Sequence, residues 1–248
     1  MKILTNHLAV VDAQTQEQFY CDVLGMRAYR DGLGYGDDQM VLQFEPGASA
    51  RYTSDPLDLY WKIGITLRDL DAAVDYLRGL GVDVSDPRQF RDIGYLCHLR
   101  DPEGLQIELL QQGFEGNHSD AGAGHPIADQ ATLAHLTLRV TSIEPAAKYF
   151  GETLGMRLLS VQPVPERQFT LYFYAWSAES LPNPDLAAVE NREWLWARPY
   201  TLIELQHLEA ADGLAEIREG EAGFAGFSYG EDKGSHYVSV SDIRAVAV

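Results

Sequence analysis

The sequence predicts an α+β fold assembled from tandem βαβββ modules, and three observations carry that expectation. First, a strand-and-helix phrase occurs twice. His7-Leu8-Ala9-Val10-Val11, a helical stretch and Phe19-Tyr20-Cys21-Asp22-Val23-Leu24-Gly25-Met26-Arg27 return as His135-Leu136-Thr137-Leu138-Arg139, a helical stretch and Tyr149-Phe150-Gly151-Glu152-Thr153-Leu154-Gly155-Met156-Arg157. Second, strand-like runs alternate with helix-spaced runs along the chain. Third, 248 residues with 46% hydrophobic content suffice for one large core or two small ones. A duplicated unit that opens each time with a histidine on a strand suggests modules carrying metal ligands at matching places.

The first module opens with a strand over 3–11, then a helix over about 13–24 in which Phe19, Tyr20, Val23 and Leu24 recur at helical spacing. Gly25 ends that helix. Extended segments follow at 27–29 and 39–45, and Pro46-Gly47-Ala48-Ser49 marks a loop. The second module begins with a strand over 60–67 and a helix over 69–80, with Leu70, Ala73, Val74 and Leu77 on one face. Strands at 82–84, 95–99 and 105–110 complete it, and Asp101-Pro102-Glu103-Gly104 turns between the last two. Residues 113–130, rich in Gly, Asp, Ser and His, read as a linker between domains 1–112 and 131–248, with His118 and His125 as solvated loop residues. The third module starts at Ala134, with a helix over 145–154 and strands near 157–161, 169–175 and 200–206. Residues 185–192 read as a charged, solvated insertion. A fourth module opens at Gly234-Ser235-His236-Tyr237, enters a helix at Asp242 and reads as truncated at Val248.

Composition excludes several functions. A net charge of −18 repels phosphate backbones and anionic lipid, so neither nucleic acid nor a membrane is expected as a partner. No stretch approaches the ~18 apolar residues of a membrane span, and the expected location is the cytoplasm. Cys21 and Cys97, without a CxxC pair, read as buried thiols rather than zinc ligands. Trp61, Trp176, Trp194 and Trp196 read first as core. On the strand that begins the third module, His135, Thr137 and Arg139 share one face while Leu136, Leu138 and Val140 share the other. A histidine and an arginine on the concave face of a curved sheet would let a metal and an anionic substrate meet.

These modules, the LGMR element after each long helix and the Asp-Pro-Glu-Gly turn before Ile107-Glu108-Leu109 resemble the vicinal oxygen chelate superfamily of glyoxalases, bleomycin resistance proteins and extradiol dioxygenases. The second half is most similar to glyoxalase I, lactoylglutathione lyase, through the run from Phe169 to Trp176, Trp194, and Tyr200-Thr201-Leu202-Ile203-Glu204-Leu205-Gln206-His207. The resemblance implies two vicinal-oxygen-chelate domains and metal ligands arriving one per strand. His135 matches the first-strand ligand, Glu204 the fourth-strand glutamate and His236 the histidine that opens the closing module. The last-strand glutamate would fall beyond residue 248, and Glu108 supplies it if modules pair across the two halves. Pairing within one half, across halves or between subunits stays open at this stage.

The first half departs further from that pattern. His7 stands at a ligand position, but Gln43 occupies the glutamate place and Lys62 a histidine place. A protonated lysine has no lone pair to offer a cation, so this pocket reads as degenerate and His7 as the weakest ligand candidate. The implied chemistry is a metal-dependent glyoxalase-type lyase acting on the hemithioacetal of a 2-oxoaldehyde with glutathione or another thiol. Nickel, cobalt or zinc would stabilise an enediolate, and Glu204 or Glu108 would be the base, its pKa raised by partial burial. Arg139 matches the arginine that grips a glutathione carboxylate and Lys233 a further basic contact, while Leu208 replaces the family's asparagine. Two alternatives remain: an Fe(II) extradiol dioxygenase using His135 and His236, and a non-catalytic small-molecule binding protein. The open strand edge of a half-finished fourth module calls for pairing with module one or for a homodimer.

Overall fold

The computed structural model describes residues 1–120, 122–231 and 234–248. Module one runs β1 (Lys2–Val10), α1 (Ala13–Gln18), β2 (Arg27–Tyr29), β3 (Gly32–Gly34) and β4 (Val41–Pro46). Ile3, Leu8 and Val10 turn inward from β1, and Asp12 caps α1 by accepting from the Thr15 N–H. The helix predicted over 13–24 is present, but its second half, Phe19–Val23, widens into a π-turn that buries Tyr20. The repeat does the same at Tyr149–Thr153, burying Phe150. Both π-turns end at a glycine in the left-handed region, Gly25 at φ 70° and Gly155 at φ 69°. The duplicated Leu-Gly-Met is therefore a backbone requirement.

Module two is β5 (Tyr60–Leu67), α2 (Leu70–Gly79), β6 (Arg88–Phe90), β7 (Gly94–Arg100) and β8 (Gln106–Gln111). The strand expected over 82–84 reduces to one bridge between Val84 and Leu99. Module three is β9 (Thr132–Val140), α3 (Ile143–Lys148), β10 (Arg157–Val164), β11 (Phe169–Ala175), α4 (Glu190–Trp196) and β12 (Leu202–Leu208). Three further elements follow, β13 (Gly223–Glu231), β14 (Gly234–Ser239) and α5 (Val240–Ala247).

These modules do not pair in sequence order. One sheet has strand order β14-β13-β1-β4-β3-β2, and the other β10-β11-β12-β9-β5-β8-β7-β6. The larger sheet thus joins module two to module three through antiparallel pairing of β5 with β9, and the smaller joins module one to the C-terminal strands through β1 and β13. The halves 1–112 and 131–248 are accordingly not separate spatial units, because each sheet draws strands from both.

Three further expectations are corrected. The presumed linker packs down: Ile127 is fully buried, the His125 Nε2 lies 3.2 Å from the Tyr76 hydroxyl, and Glu193 accepts from the Phe114 N–H. Burial lowers the His125 pKa. The charged segment near 185–192 is likewise anchored. Arg192 is buried and donates to Asp92, while Asn191 braces the turn through Asn183 and Asp185. Finally, the C-terminal strands do pair with module one, but through the unpredicted β13, which lies between β14 and β1. Among the described residues no helix is long and apolar enough to cross a membrane.

The Asp-Pro-Glu-Gly turn locks module two onto module one. Asp101, buried, accepts from the Gln16 amide, from the Tyr20 hydroxyl at 3.0 Å, and from the backbone of Glu103 and Leu105. Glu103 accepts from the Asp12 N–H at 3.0 Å. Burial pushes the Asp101 carboxyl up to about 6, against the pull of those donors. Because the folded state binds this proton more tightly than the unfolded chain, the stability it contributes is present in acid and is lost as pH rises through about 6. Urea unfolding of wild type and Asp101→Asn at pH 4.5 and 7 should therefore show the wild type gaining about 2 kcal/mol over the variant at the lower pH. Parallel pH profiles would contradict the assignment.

Candidate metal centre

The centre of the larger sheet is built from two copies of one register. Lys62 on β5 lies opposite Gln106 of the parallel β8, so Glu108, two residues on, faces the same side. His135 on β9 lies opposite Leu202 of the parallel β12, so Glu204 faces the same side in the same way. Antiparallel pairing of Gly64 with His135 then brings the two copies together. Glycine is required at 64, since a Cβ there would overlap the His135 imidazole.

Glu108, His135 and Glu204, all buried, offer ligand atoms within 4.8 Å of one another. His135 Nε2 lies 3.2 Å from Glu108 Oε1 and 3.4 Å from Glu204 Oε2. Lys62 fills the fourth corner, its Nζ 2.5 Å from Glu108 Oε2 and 3.9 Å from Glu204 Oε2, and 4.4 Å from the centre of the Trp61 ring. His98 on β7, which sequence reasoning missed, sits opposite Glu108 with Nε2 3.1 Å from Oε2. The Glu108 carboxyl was expected to titrate high. Burial does oppose its charge, but the Lys62 ammonium and the contacts from His135 and His98 outweigh that and hold it well below the usual carboxylate range.

The donor chemistry fits a divalent ion. Among the described residues, His135 Nδ1 and Glu204 Oε1 are buried without a hydrogen-bond partner, and His135 Nε2 has carboxylate oxygens beside it but no well-aligned hydrogen bond, which is costly unless something cationic or protic meets them. Two carboxylates and an imidazole are a donor set for zinc, nickel, cobalt or iron. Beside the two carboxylates opens a cavity of about 100 Å³ with an apolar wall that includes Phe90, Leu171, Phe173 and Trp196. Trp61 lines the cavity, and Trp196 both lines it and lies in the buried core, whereas Trp176 stacks on Tyr229 in the region of the smaller sheet. Arg88 and Arg167 contribute to the lining and form no ion pair among the described residues.

Other residues singled out in the sequence lie elsewhere. His236 is exposed on β14 of the smaller sheet, stacked on Tyr229 at 5.2 Å, and so does not join His135. His7 uses both ring nitrogens, Nδ1 with Glu45 at 2.9 Å and Nε2 with Ser228 at 2.8 Å, and keeps no lone pair for a metal. The register opposite His7 is Gln43, so the residue equivalent to Glu204 is Glu45, two positions beyond the one inferred. Arg139 is buried outside the cavity lining, where it donates to Gln206 Oε1 and the Asp55 carbonyl, both at 3.0 Å. Lys233 lies outside the described residues.

Paired βαβββ modules carrying a histidine–carboxylate cluster at the centre of a shared sheet are the arrangement of the vicinal-oxygen-chelate fold. Residues 3–109 match the model of the Glyoxalase/Bleomycin resistance protein/Dioxygenase superfamily. The chain is 25% identical over 188 residues to the "Probable lactoylglutathione lyase, chloroplastic" of Arabidopsis thaliana, across 68% of this chain and 49% of that protein. A second Arabidopsis lactoylglutathione lyase is 24% identical over 186 residues, across 68% of this chain and 60% of the relative. The matches thus span only half to three-fifths of these curated relatives. The crystal structure of glyoxalase I from Zea mays superposes with a TM-score of 0.64 at 17% identity, over 91% of this chain and 73% of that one, a likeness of fold.

Gly64→Ala tests how the site is held together. The new methyl has to displace the imidazole or part the strands, so urea unfolding should show a loss of about 1–3 kcal/mol. An unchanged midpoint would mean that His135 is not held where it is described.

Proposed function

We propose that the protein is a glyoxalase-type lyase that converts the thiol hemithioacetal of a 2-oxoaldehyde into the thioester of the corresponding 2-hydroxy acid, using a divalent metal held by Glu108, His135 and Glu204. The observation that carries this reading is the convergence of those three side chains, the two carboxylates lining an apolar cavity and Glu204 Oε1 buried without a hydrogen bond among the described residues. A bound divalent ion would polarise the substrate carbonyl and offset the negative charge that develops on its oxygens. The remaining work falls to the chain.

Of the two carboxylates, Glu204 is the better base. Its Oε1 is free of hydrogen bonds, whereas Glu108 is tied by Lys62 and His98 and held strongly acidic. Glu204 takes the proton from the carbon bearing sulfur and returns it to the adjacent carbon, so no proton is gained or lost over the cycle. The walls of Phe173, Leu171 and Trp196 keep water from competing for it. Because Arg139 is already engaged, Arg88 and Arg167 are the basic groups available to a carboxylate on the thiol, which suits glutathione or a similarly anionic thiol.

One observation favours a second reading. The Lys62 ammonium already stands against Glu108, an arrangement suited to a binding protein that holds a small molecule without turnover. The dioxygenase reading loses support, since it paired His135 with His236, which the fold places on different sheets.

Metal-stripped protein reloaded with nickel, cobalt, zinc or iron should convert the methylglyoxal–glutathione hemithioacetal with at least one of the ions. Glu204→Gln should lower kcat roughly 10²–10⁴-fold while the protein still binds the metal. Silence with every ion, alongside retained binding of an S-substituted glutathione, would favour the binding protein; iron-dependent oxygen uptake with a catechol would restore the dioxygenase.

A further inference from the structure

The register that equates Lys62 with His135 leaves the centre with three donors and one ammonium where the symmetry of the two modules would supply a fourth donor. Lys62 is 3% exposed, and its Nζ reaches both carboxylates, at 2.5 Å and 3.9 Å. Two buried carboxylates this close cannot both stay ionised without a counter-charge. Carboxylate oxygens bind zinc-like ions at about 2.0–2.2 Å, so an ion shared by Glu108 and Glu204 would need the space that Nζ occupies. Two cations there would also repel strongly in so dry a site.

We propose that Lys62 is a resident counter-cation that competes with the metal: its ammonium neutralises Glu108 and Glu204 in the metal-free protein, and an ion enters only as the side chain swings away. The inference rests on the reading of Glu108, His135 and Glu204 as metal ligands. Lys62 itself lines the cavity, and its flexible stem has that space to move into. Metal-free and metal-loaded forms therefore carry the same buried carboxylates balanced by different cations, and this chain should bind metal more weakly than its donor set alone would allow.

The test is calorimetric titration of Ni²⁺ and Zn²⁺ into metal-stripped wild type, Lys62→Met, Lys62→Gln, Lys62→Arg and His135→Ala, with thermal melts of each in chelator and in excess metal. Lys62→Met and Lys62→Gln should bind at least about tenfold more tightly than wild type, with a larger rise in Tm on metal addition. Lys62→Arg, which keeps the charge, should not gain affinity. Folding of Lys62→Met only when metal is supplied would support the proposal equally, since ammonium and ion would then be filling one role. Equal affinities in wild type and the Met and Gln variants, lost in His135→Ala, would overturn the role of Lys62 and leave the metal site standing. Absence of binding in every protein would overturn the metal site and the role of Lys62 with it.

Discussion

The functional architecture depends on one interaction, the antiparallel pairing of β5 with β9. Each strand starts a module and brings its own parallel partner, β8 or β12, and with it one glutamate. Without that seam, Lys62 and Glu108 would belong to one half of the chain and His135 and Glu204 to the other, and no ligand cluster would exist. The close approach at Gly64 sets the seam's geometry, which lets the imidazole stand over the neighbouring strand and meet both carboxylates at 3.2 and 3.4 Å.

Charge balance follows from that geometry. Bringing Glu108 and Glu204 into a dry interior is tolerable only with a cation between them, and the chain carries its own in Lys62. This divides the two carboxylates. Glu108 is gripped by Lys62, His98 and His135 and held ionised, while Glu204 keeps one buried oxygen without a hydrogen bond among the described residues. The smaller sheet shows what happens where the equivalent residues find each other instead. His7 and Glu45 bond directly and Ser228 takes the second nitrogen, which closes the position to a metal.

Much of this was legible in the sequence, for physical reasons that also mark where legibility ended. The modules were readable because strand and helix periodicities and the Leu-Gly-Met turn are local properties of the chain, and His135 and Glu204 fell on readable strands. Glu108 was identified as a ligand conditional on pairing across the halves; which strands pair is a long-range matter that local periodicity does not encode. Assigning Gln43 instead of Glu45 is a two-residue slip, and such a slip keeps the same face, so alternation cannot detect it. His236 was placed at the site because it matches the family's histidine that opens the closing module. The unforeseen β13, a glycine-containing run with weak strand character, separates it from β1. His98 carried no motif, and only its register opposite Glu108 reveals it.

The central claim is that one metal centre is shared by modules from opposite halves of the chain. The most direct measurement is anomalous diffraction at the nickel edge from crystals grown with Ni²⁺. The account requires a single strong peak bounded by Glu108, His135 and Glu204, with the Lys62 side chain turned away from Glu108. A peak at His7 and Glu45 or at His236, or an ion at the centre with Lys62 still against Glu108, would contradict it.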